Sequence, residues 1–489
     1  MNKKIGIIGS GFSSLSAACH LAKAGNTVFV LEKNSNPGGR ARSFTDSGFV
    51  FDMGPSWYWM PDVFEHFFAQ FDKSPADYYE LIRLDPSYCV RFKDESIDLP
   101  ANMGELETLF ESIEEGSSLQ LRKFLSQAKY KYEVGINDLV YKPSRSLTEF
   151  IDIKLLKGLV KMDVFTSMSK HIRKFFKNEK LIQLMEFPVL FLGATPENTP
   201  ALYSLMNYAD ISLGTWYPMG GMYKVVEGMV KLAEELGVTF HYDNEVTEFK
   251  IIGDNISKLV TTKGEYEADI VVGGADYHHL EQKVLPEKYR NYTESYWESR
   301  TMAPSSLLFY IGVNKVLPNL KHHVLFFDED FVQHAHEIYT DPKWPSKPLL
   351  YISTTSKTDP TVAPEGCENL VILIPVAPDL KDTSSTRDKY FEMAMSKLES
   401  FTGTSIRNHI IFKRSYAHND FINDYHSFKG NAYGLANTLK QTAILKPSLK
   451  SKKLKNLYFT GQLTVPGPGV PPSIISGEVV SREIAKDFR

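Results

Sequence analysis

The chain opens with two short apolar runs separated by a stretch of helical periodicity. The runs at 4–8 and 27–31 are almost uninterrupted by polar residues, which predicts strands buried on both faces. Between them, the apolar residues across 15–24 predict a helix that Gly25 ends. Strand, helix and strand in this order predict a βαβ unit with parallel strands.

The turn after the first run carries a dinucleotide fingerprint. Gly9 permits a tight turn, and Gly11 lets the backbone approach a pyrophosphate at the N-terminus of the helix. Ser14, at the third glycine position, is small enough for close helix–strand packing. Glu32, about 20 residues further on, suits the ribose hydroxyls and disfavours the 2′-phosphate of NADP. The pattern predicts a nucleotide site, and the alternative is an ordinary tight turn.

A second glycine-bearing segment, 37–43, follows Glu32. Gly38 and Gly39 allow the backbone to wrap along an extended diphosphate, and Arg40 can donate charge-assisted hydrogen bonds. A nicotinamide-dependent dehydrogenase has no obvious use for this segment, so it favours FAD over NAD. The alternative is a glycine-bearing loop with solvated arginines.

The end of the chain carries another strand, glycine loop and helix. Residues 456–462 predict a strand that ends in a glycine turn, and residues 464–472 form a loop stiffened by prolines. Ser473 begins a predicted helix that runs to about Asp487. Its N-terminus can place N–H groups beside the N1–C2=O edge of a flavin. The alternative is a C-terminal packing helix with a rigid cap.

Together these segments resemble the bacterial-type phytoene desaturases, the carotenoid desaturase family, over essentially the whole chain. The glycine pair and the stretch at 48–56 resemble the second flavin motif of that family. The C-terminal signature matches at Asn456, Tyr458, Phe459, Gly461, Thr464, Pro466, Gly467, Gly469, Val470 and Ser476. It departs at Gln462, Leu463, Val465 and Pro468. Because this loop borders the reacting centre, the motifs define the cofactor better than the substrate.

The resemblance implies an α/β fold, with a Rossmann-like FAD-binding domain of the amine oxidase/desaturase type and an inserted α+β substrate domain. We expect the FAD-binding domain at 1–100, 215–300 and 421–489, and the substrate domain at 101–214 and 301–420.

Within the middle part of the FAD-binding domain we expect a helix at 223–236, strands at 238–242 and 246–251, and a strand at 266–275 that ends beside the cofactor. The resemblance also implies the residues that contact FAD. They are Gly9, Gly11, Ser13, Ser14, Glu32, Lys33, Gly39, Arg40, Gly54, Pro55, Ser56, Trp57, Val246, Asp276, Gly461, Gln462, Pro471, Ser473 and Ile474.

Aromatic side chains crowd the segment 55–61, directly after the second flavin motif. A channel lined by flat apolar side chains would match a rigid polyene. The alternative is that these aromatics belong to the core or to an interface.

The segment 149–180 is predicted to be largely helical, with an apolar stripe and basic flanks. Residues 142–180 contain ten Lys and Arg against four Asp and Glu. Such a segment can lie on anionic lipid, and the alternative is a core-packed helix with a solvated basic face. No uncharged apolar run approaches the ~20 residues that span a bilayer. We therefore expect a cytoplasmic enzyme held peripherally at the inner face of the cell membrane.

Composition argues against several other classes of protein. A formal net charge of −4 gives no reason to expect nucleic acid as a partner. Only three cysteines occur, far apart in the sequence, which argues against a disulfide framework or structural zinc. The histidine pairs at 278–279 and 322–323 lie in no carboxylate–histidine pattern, so we expect no metal.

The resemblance implies desaturation of phytoene in successive steps toward lycopene. The flavin would take a hydride, a quinone or oxygen would reoxidise it, and no side chain stands out as a catalytic base. Three alternatives stay open at this point: a desaturase of a later, hydroxylated carotenoid, a carotenoid isomerase, and a non-catalytic flavoprotein partner of carotenoid enzymes.

Overall fold

The structure, a computed structural model, describes residues 2–146, 149, 166–192, 195–438 and 441–488. Its longer helices are α1 (Phe12–Lys23), α2 (Pro61–Ala69), α3 (Met103–Ile113), α4 (Ser117–Val134), α5 (Glu179–Glu186), α6 (Tyr223–Glu235), α7 (Phe331–Tyr339), α8 (Ser384–Thr402), α9 (His418–Tyr425) and α10 (Val470–Asp487). Short helices lie at Met168–Ile172, Leu205–Asn207, Tyr277–His279 and Glu294–Glu298.

The strands are β1 (Lys4–Ile8), β2 (Thr27–Leu31), β3 (Ser43–Asp46), β4 (Phe49–Asp52), β5 (Leu81–Arg83), β6 (Tyr88–Phe92), β7 (Ser96–Leu99), β8 (Trp216–Pro218), β9 (Thr239–His241), β10 (Val246–Ile252), β11 (Asn255–Thr261), β12 (Gly264–Glu267), β13 (Ile270–Gly273), β14 (Ser305–Val313), β15 (His323–Phe327), β16 (Leu350–Ser353), β17 (Glu368–Val376), β18 (Ile410–Tyr416) and β19 (Leu457–Phe459).

Five parallel strands form the first sheet, in the order β19-β13-β1-β2-β9. The strands predicted at 4–8 and 27–31 lie side by side in it and are buried apart from their first residues. In the sheet, β13 alone separates β1, from the start of the sequence, from β19, near its end. The sheet is therefore complete only when both ends of the chain have folded into it. This parallel arrangement confirms the predicted Rossmann-like fold.

Helix α10 packs directly against α1. A Cβ on Gly477 would lie 2.3 Å from the carbonyl oxygen of Ser13 and 2.6 Å from Ser16 Cβ, so this approach requires glycine. The Ser16 hydroxyl donates to the carbonyl oxygen of Ile474 at 2.7 Å. The two ends of the chain are thus held together at the N-terminal half of α1, where the fingerprint lies.

A mixed seven-stranded sheet forms the second part of the molecule, in the order β18-β14-β17-β16-β15-β6-β7. Because side chains alternate along a strand, the sheet buries both faces. Leu398 of α8 packs with Phe309 and Ile372 on one face. Tyr351 and Leu325 join a cluster with residues of α3, α4 and α5 on the other. Since β6 and β7 precede residue 100, we propose that the chain leaves the FAD-binding part before Tyr88, earlier than the sequence indicates.

Two elements predicted near the cofactor segments differ from the structure. The single strand predicted at 266–275 is two strands: β12 pairs antiparallel with β11, and β13 lies in the parallel sheet. Asp269 ends the first pairing, because its side chain and backbone both bond to Lys4. The last helix begins at Val470 and not at Ser473. Prolines at 471 and 472 are tolerated in its first turn, because the N–H groups that they lack would have no partner within the helix at these positions.

The segment 149–180, predicted to be largely helical, does not form one continuous helix in its described part. The chain leaves the helix Met168–Ile172 and begins α5 only at Glu179, where Asn178 Oδ1 accepts from the N–H of Lys180. The apolar positions Met168, Ile172 and Phe176 are buried. The remaining stripe residues, Leu155, Leu156, Leu159, Val160, Met162, Val164 and Phe165, lie outside the described residues. No helix in the described part is both long and apolar enough to cross a membrane.

Candidate functional site

The predicted dinucleotide turn forms at the carboxyl end of β1. Gly9 has a φ of +87°, and its N–H donates to the Leu31 carbonyl oxygen at 2.8 Å. Gly11 is the N-cap of α1 at a φ of −72°, and a Cβ there would meet no atom within 4 Å. The open space at Gly11 adjoins first-turn N–H groups that a helix cannot pair internally, which suits a pyrophosphate.

Ser13 and Ser14 are buried in the first turn of α1. Ser14 Oγ lies 1.9 Å from the point where a Cβ of Gly274 would stand, so Gly274 provides the room that the missing third glycine would have provided. Ser13 Oγ lies 3.1 Å from the corresponding point of Gly461. These two serines therefore contact the end of the parallel sheet and the C-terminal loop.

Glu32 lies at the end of β2 and is only 4% exposed. Its Oε2 accepts from the N–H and hydroxyl of Ser10 at 2.8 and 2.6 Å, and its Oε1 accepts from the N–H and side-chain amide of Asn34 at 2.9 Å each. Four bonds fill the acceptor positions of a carboxylate. Ribose hydroxyls can bind here only if the side chains of Ser10 and Asn34 turn away. The sequence analysis did not predict that these two residues bond to Glu32.

The second glycine segment lies against the first. Gly38 donates its N–H to the Ser10 carbonyl oxygen at 3.0 Å, and a Cβ on Gly39 would stand 3.3 Å from Gly11 Cα. A Cβ on Gly54 would stand 2.1 Å from the Arg40 carbonyl oxygen. Side chains at these positions would separate the segments, so the glycines are required for the backbone contact.

Half-buried Arg40 and buried Asp276 lie at the edge of this contact. Arg40 Nη2 donates to the Ser427 hydroxyl at 2.9 Å, while its Nε has no hydrogen-bond partner among the described residues. Burial raises the pKa of Asp276, and the Arg40 charge opposes that rise. Asp276 also caps the short helix after β13, since its Oδ1 accepts from the His279 N–H at 3.1 Å.

The C-terminal loop closes over the start of α1. Gly461 has a φ of +108°, and its N–H donates to the Ser476 hydroxyl at 3.0 Å. Half-buried Gln462 has an Nε2 that finds no partner in the described part of the chain. Pro471, Ser473 and Ile474 lie in the first turns of α10. The loop and the helix N-terminus thus lie beside the turn predicted to bind the pyrophosphate.

Lys33 and Val246 lie away from the glycine contacts, at a cluster of polar side chains. Val246 begins β10 and is buried, and Lys33 Nζ contacts His426 Nε2 at 3.3 Å. Glu245 Oε1 lies 2.6 Å from the same nitrogen. His279 stacks on His426 with ring centroids 3.8 Å apart and planes at 6°.

Three of these residues, Glu245, His279 and His426, bring possible metal-ligand atoms within 4.8 Å of one another. Nearly parallel stacked rings direct their in-plane nitrogen lone pairs side by side and not toward one point. The cluster is therefore better suited to stacking and hydrogen bonding than to holding an ion.

The residues at the two chain ends fit FAD. A Cβ on Gly11 would meet open space, and the buried donors Arg40 Nε and Gln462 Nε2 are without protein partners in the described chain. Buried polar atoms are nearly always satisfied in folded proteins, so unsatisfied donors beside the glycine contacts are consistent with a ligand-binding site.

The aromatic run divides between the cores and the site. Tyr58 is fully buried, and Trp59 is nearly so and donates its Nε1–H to Thr215 Oγ1 at 2.8 Å. Half-buried Trp57 stacks on His323 with centroids 4.1 Å apart and planes at 16°. Burial lowers the pKa of His323 well below its ordinary value, so this stack is uncharged. Tyr58 and Trp59 are thus core residues, which was the alternative to a substrate channel, while Trp57 faces the seven-stranded sheet.

Further aromatic rings surround Trp57. Tyr88 lies 5.4 Å and Tyr351 5.5 Å away between ring centroids. Half-buried Pro55 and Ser56 join Trp57 to the glycine contact at Gly54, and Ser56 lies beside the Tyr351 hydroxyl. The backbone that meets the second glycine segment at Arg40 therefore leads directly to an aromatic cluster of the second sheet.

A buried acid lies behind this cluster. Asp210 accepts from the Tyr88 hydroxyl at 2.7 Å and from the Thr215 hydroxyl at 3.3 Å. Burial raises the pKa of Asp210 to about 7, because desolvation outweighs the two hydrogen bonds.

The raised pKa of Asp210 predicts a pH-dependent stability. Between its ordinary value of 3.8 and about 7, the unfolded chain releases a proton that the folded chain retains. Stability from this group is therefore greatest below pH 4 and falls by about 1.4 kcal/mol per unit until pH 7. We expect Asp210→Asn to remove that slope from urea unfolding of the apoprotein at pH 5 and 8. Equal slopes in wild type and variant would contradict the assignment.

Comparison with known proteins also indicates a flavin-dependent oxidoreductase. The family described as flavin containing amine oxidoreductase matches residues 12–485. The chain is 41% identical over 484 residues to a carotenoid 3,4-desaturase of Haloarcula japonica, covering 99% of this chain and 98% of the relative. It is 30% identical over 494 residues to a zeta-carotene-forming phytoene desaturase of Myxococcus xanthus, covering 99% and 94%.

A solved structure shares the fold. An oxidoreductase of Methanosarcina mazei aligns with a TM-score of 0.65 at 15% identity, covering 99% of this chain and 100% of that one. Sequence and fold comparisons thus agree with the flavin motifs at both chain ends. The chain belongs to the flavin containing amine oxidoreductase family, and within it to the FAD-dependent carotenoid desaturases.

Proposed function

We propose that this enzyme introduces the 3,4 double bond near the end of a carotenoid chain. The observation that carries the proposal is the 41% identity to a carotenoid 3,4-desaturase over 99% of this chain. The relative that forms zeta-carotene from phytoene is 30% identical over a similar span. The difference favours a late desaturation over the first steps from phytoene.

The aromatic cluster supports a polyene substrate. Trp57, Tyr351 and neutral His323 form an uncharged cluster of flat rings, which begins three residues after the contact of Gly54 with the second glycine segment. Flat faces can stack on a conjugated chain and exclude water from it. When bound, FAD accepts the hydride that leaves the substrate.

The same proposal assigns the cofactor path. The pyrophosphate lies at Gly9, Gly11 and Gly39, with Arg40 donating from the side, and the adenosine end reaches Glu32, Lys33 and Val246. The flavin end lies between the Gly54–Trp57 segment and the loop from Gly461 to Ile474. Gly11 and Gln462 support this path through the open space and the unsatisfied donor described above.

Stepwise desaturation of phytoene toward lycopene is the second candidate. It is favoured by the Myxococcus xanthus relative, whose match also spans 99% of this chain. Purified enzyme with FAD, incubated in parallel with phytoene, lycopene and a hydroxylated acyclic carotenoid in liposomes, separates the candidates by pigment chromatography. Products from lycopene or the hydroxylated substrate, and none from phytoene, support 3,4-desaturation. Lycopene from phytoene contradicts it, and altered double-bond geometry without oxidation indicates an isomerase.

Replacing Trp57 tests the aromatic cluster. We expect Trp57→Leu to lower kcat/KM for the carotenoid about tenfold, because one stacking face is lost while the side chain stays apolar. The FAD content of the purified variant is measured in parallel, and activity is given per bound FAD, so that a loss of cofactor is separated from a loss of substrate binding. Trp344→Leu is the matched control, because Trp344 packs on Tyr390 in the cluster on the other face of the sheet. Equal losses of activity in both variants would contradict a substrate role for Trp57.

We also propose that the basic segment 142–180 holds the enzyme at the inner face of the cell membrane. The excess of ten basic over four acidic residues supports attraction to anionic lipid. Arg173 contributes less to this attraction, because it pairs with Glu179 at 2.6 Å. Co-sedimentation with anionic liposomes should fall when the charges of Lys157, Lys161, Arg173 and Lys174 are removed. Equal, salt-insensitive binding by both proteins would overturn the proposal.

A further inference from the structure

Lys446 is a buried lysine without a counter-charge. It is 5% exposed, and its Nζ has no hydrogen-bond partner in the described part of the chain. Burial alone lowers the pKa of Lys446 to about 8, so no described group compensates for the loss of water. An unpaired buried ammonium is costly, and such a group is expected to have a partner that the protein chain does not supply.

A second buried polar atom without a partner lies near Lys446 Nζ. Asn437 is 6% exposed, and its Oδ1 also lacks a partner among the described residues. A Cβ on Gly467 would stand 3.0 Å from Asn437 Oδ1 and 3.3 Å from Lys446 Nζ. Gly467 has a φ of +140°, which disfavours any other residue, and a side chain at this position would also crowd both polar atoms.

Gly467, beside both atoms, lies on the C-terminal loop that also reaches the dinucleotide turn. Gly461, six residues before Gly467, packs against Ser13 in the first turn of α1. Six residues can span up to about 20 Å, so one loop can follow a cofactor from its pyrophosphate to its ring system. The loop then enters α10 at Val470, whose N-terminus adds a partial positive charge.

The chemistry of the pair selects among possible ligands. Lys446 Nζ can only donate, and Asn437 Oδ1 can only accept. A phosphate offers acceptors alone and would leave Asn437 Oδ1 facing an anion. The pyrimidine edge of a flavin offers an N3–H donor between two carbonyl acceptors, and it matches one donor and one acceptor placed side by side.

We propose that Lys446 and Asn437 bind the pyrimidine edge of the flavin, with Lys446 Nζ donating to a ring carbonyl and Asn437 Oδ1 accepting from N3–H. The inference rests on the cofactor path under Proposed function, and it is independent of which carotenoid reacts. Lys446 also brings a positive charge to a ring system that gains electrons. That charge raises the reduction potential of the bound flavin.

Lys446→Met tests the inference in the full-length apoprotein, titrated separately with FAD and with ADP-ribose. ADP-ribose carries the adenosine diphosphate half of the cofactor and has no flavin ring. We expect the variant to bind FAD roughly 10- to 100-fold more weakly, as for loss of a hydrogen bond from a charged donor, and to bind ADP-ribose unchanged. Asn437→Leu should show the same selectivity with a smaller loss.

Two controls test whether the loss of FAD affinity is specific to Lys446 and is not caused by unfolding. Lys450→Met removes a lysine of the same region that pairs with Asp487 near the surface, and it should alter neither affinity. The melting temperature of the Lys446→Met apoprotein should stay equal or rise, because an unpaired buried charge is removed. Unchanged FAD affinity, or an equal loss for FAD and ADP-ribose, would overturn the inference.

The flavin itself provides a second readout. In an anaerobic reductive titration, the holoenzyme of Lys446→Met should have a more negative reduction potential than wild type, and Lys446→Arg should restore most of the difference. A potential that is the same in all three proteins would also overturn the inference. Neither measurement uses a carotenoid, so failure of the proposed substrate leaves these results interpretable.

Discussion

Gly11→Ala is expected to leave the apoprotein folded and to abolish tight FAD binding. The added methyl group meets no protein atom within 4 Å, and a φ of −72° suits alanine. At an N-cap, alanine in place of glycine costs at most about 1 kcal/mol. If the pyrophosphate occupies this space, the methyl group overlaps it, and we expect FAD to bind at least about 100-fold more weakly.

Titration of the apoprotein with FAD, together with urea unfolding, measures both parts of this expectation. Gly135→Ala is the matched control, because its added methyl would make an ordinary contact of 3.4 Å with Leu205 outside the proposed site. FAD affinity close to wild type in Gly11→Ala would mean that the cofactor does not approach this turn. The control should bind FAD normally.

Gly477→Ala is expected to destabilise the whole FAD-binding part. The new Cβ would stand 2.3 Å from the Ser13 carbonyl oxygen and 2.7 Å from the Ala17 nitrogen, and backbone atoms cannot move aside as a flexible side chain can. Overpacking of this kind costs about 1–3 kcal/mol, and it pushes α10 away from α1. FAD binding should weaken as well, because the C-terminal loop moves with α10.

Chemical unfolding of the apoprotein, in which FAD cannot contribute, measures the packing effect alone. Ser481→Ala is a suitable control, since Ser481 lies one turn further along the same helix, its hydroxyl donates to the Gly477 carbonyl oxygen at 2.8 Å and more weakly to the Ala17 carbonyl oxygen at 3.4 Å, and the change removes atoms without adding any. We expect the control to lose no more than about 1 kcal/mol, the value of one hydrogen bond. Similar stability of Gly477→Ala and wild type would contradict the close approach of the two helices.

The sequence predicted the parts of the fold that depend on local pattern. The apolar runs at 4–8 and 27–31 and the turn at Gly9 were predicted correctly, because a buried strand and a glycine turn depend on residues that are adjacent in the sequence. The family resemblance added the pairing of the two chain ends, which no local pattern contains. The strand predicted at 266–275 was wrong because the apolar pattern continues across Asp269, while the pairing partners change there.

Other features of the site depend on long-range contacts and could not be predicted from one sequence. The partners of Glu32 were missed, although Asn34 lies only two residues away in sequence, because Ser10 is 22 residues away and both side-chain directions are set by the fold. Gly274 left a visible signal, a glycine pair at the end of a strand, but its role beside Ser14 required the packed helix. Lys446 carried no signal, since its burial and lack of a partner exist only in the folded chain.

The central claim is that this enzyme transfers a hydride from a carotenoid to its FAD. Anaerobic mixing of the oxidised holoenzyme with lycopene or a hydroxylated acyclic carotenoid in liposomes tests it in a single turnover. We expect the flavin absorbance to bleach while the carotenoid absorption moves to longer wavelength, in equal molar amounts. A carotenoid product formed without bleaching of the flavin, or no reaction with any of the three carotenoids in the chromatography assay, would contradict the account.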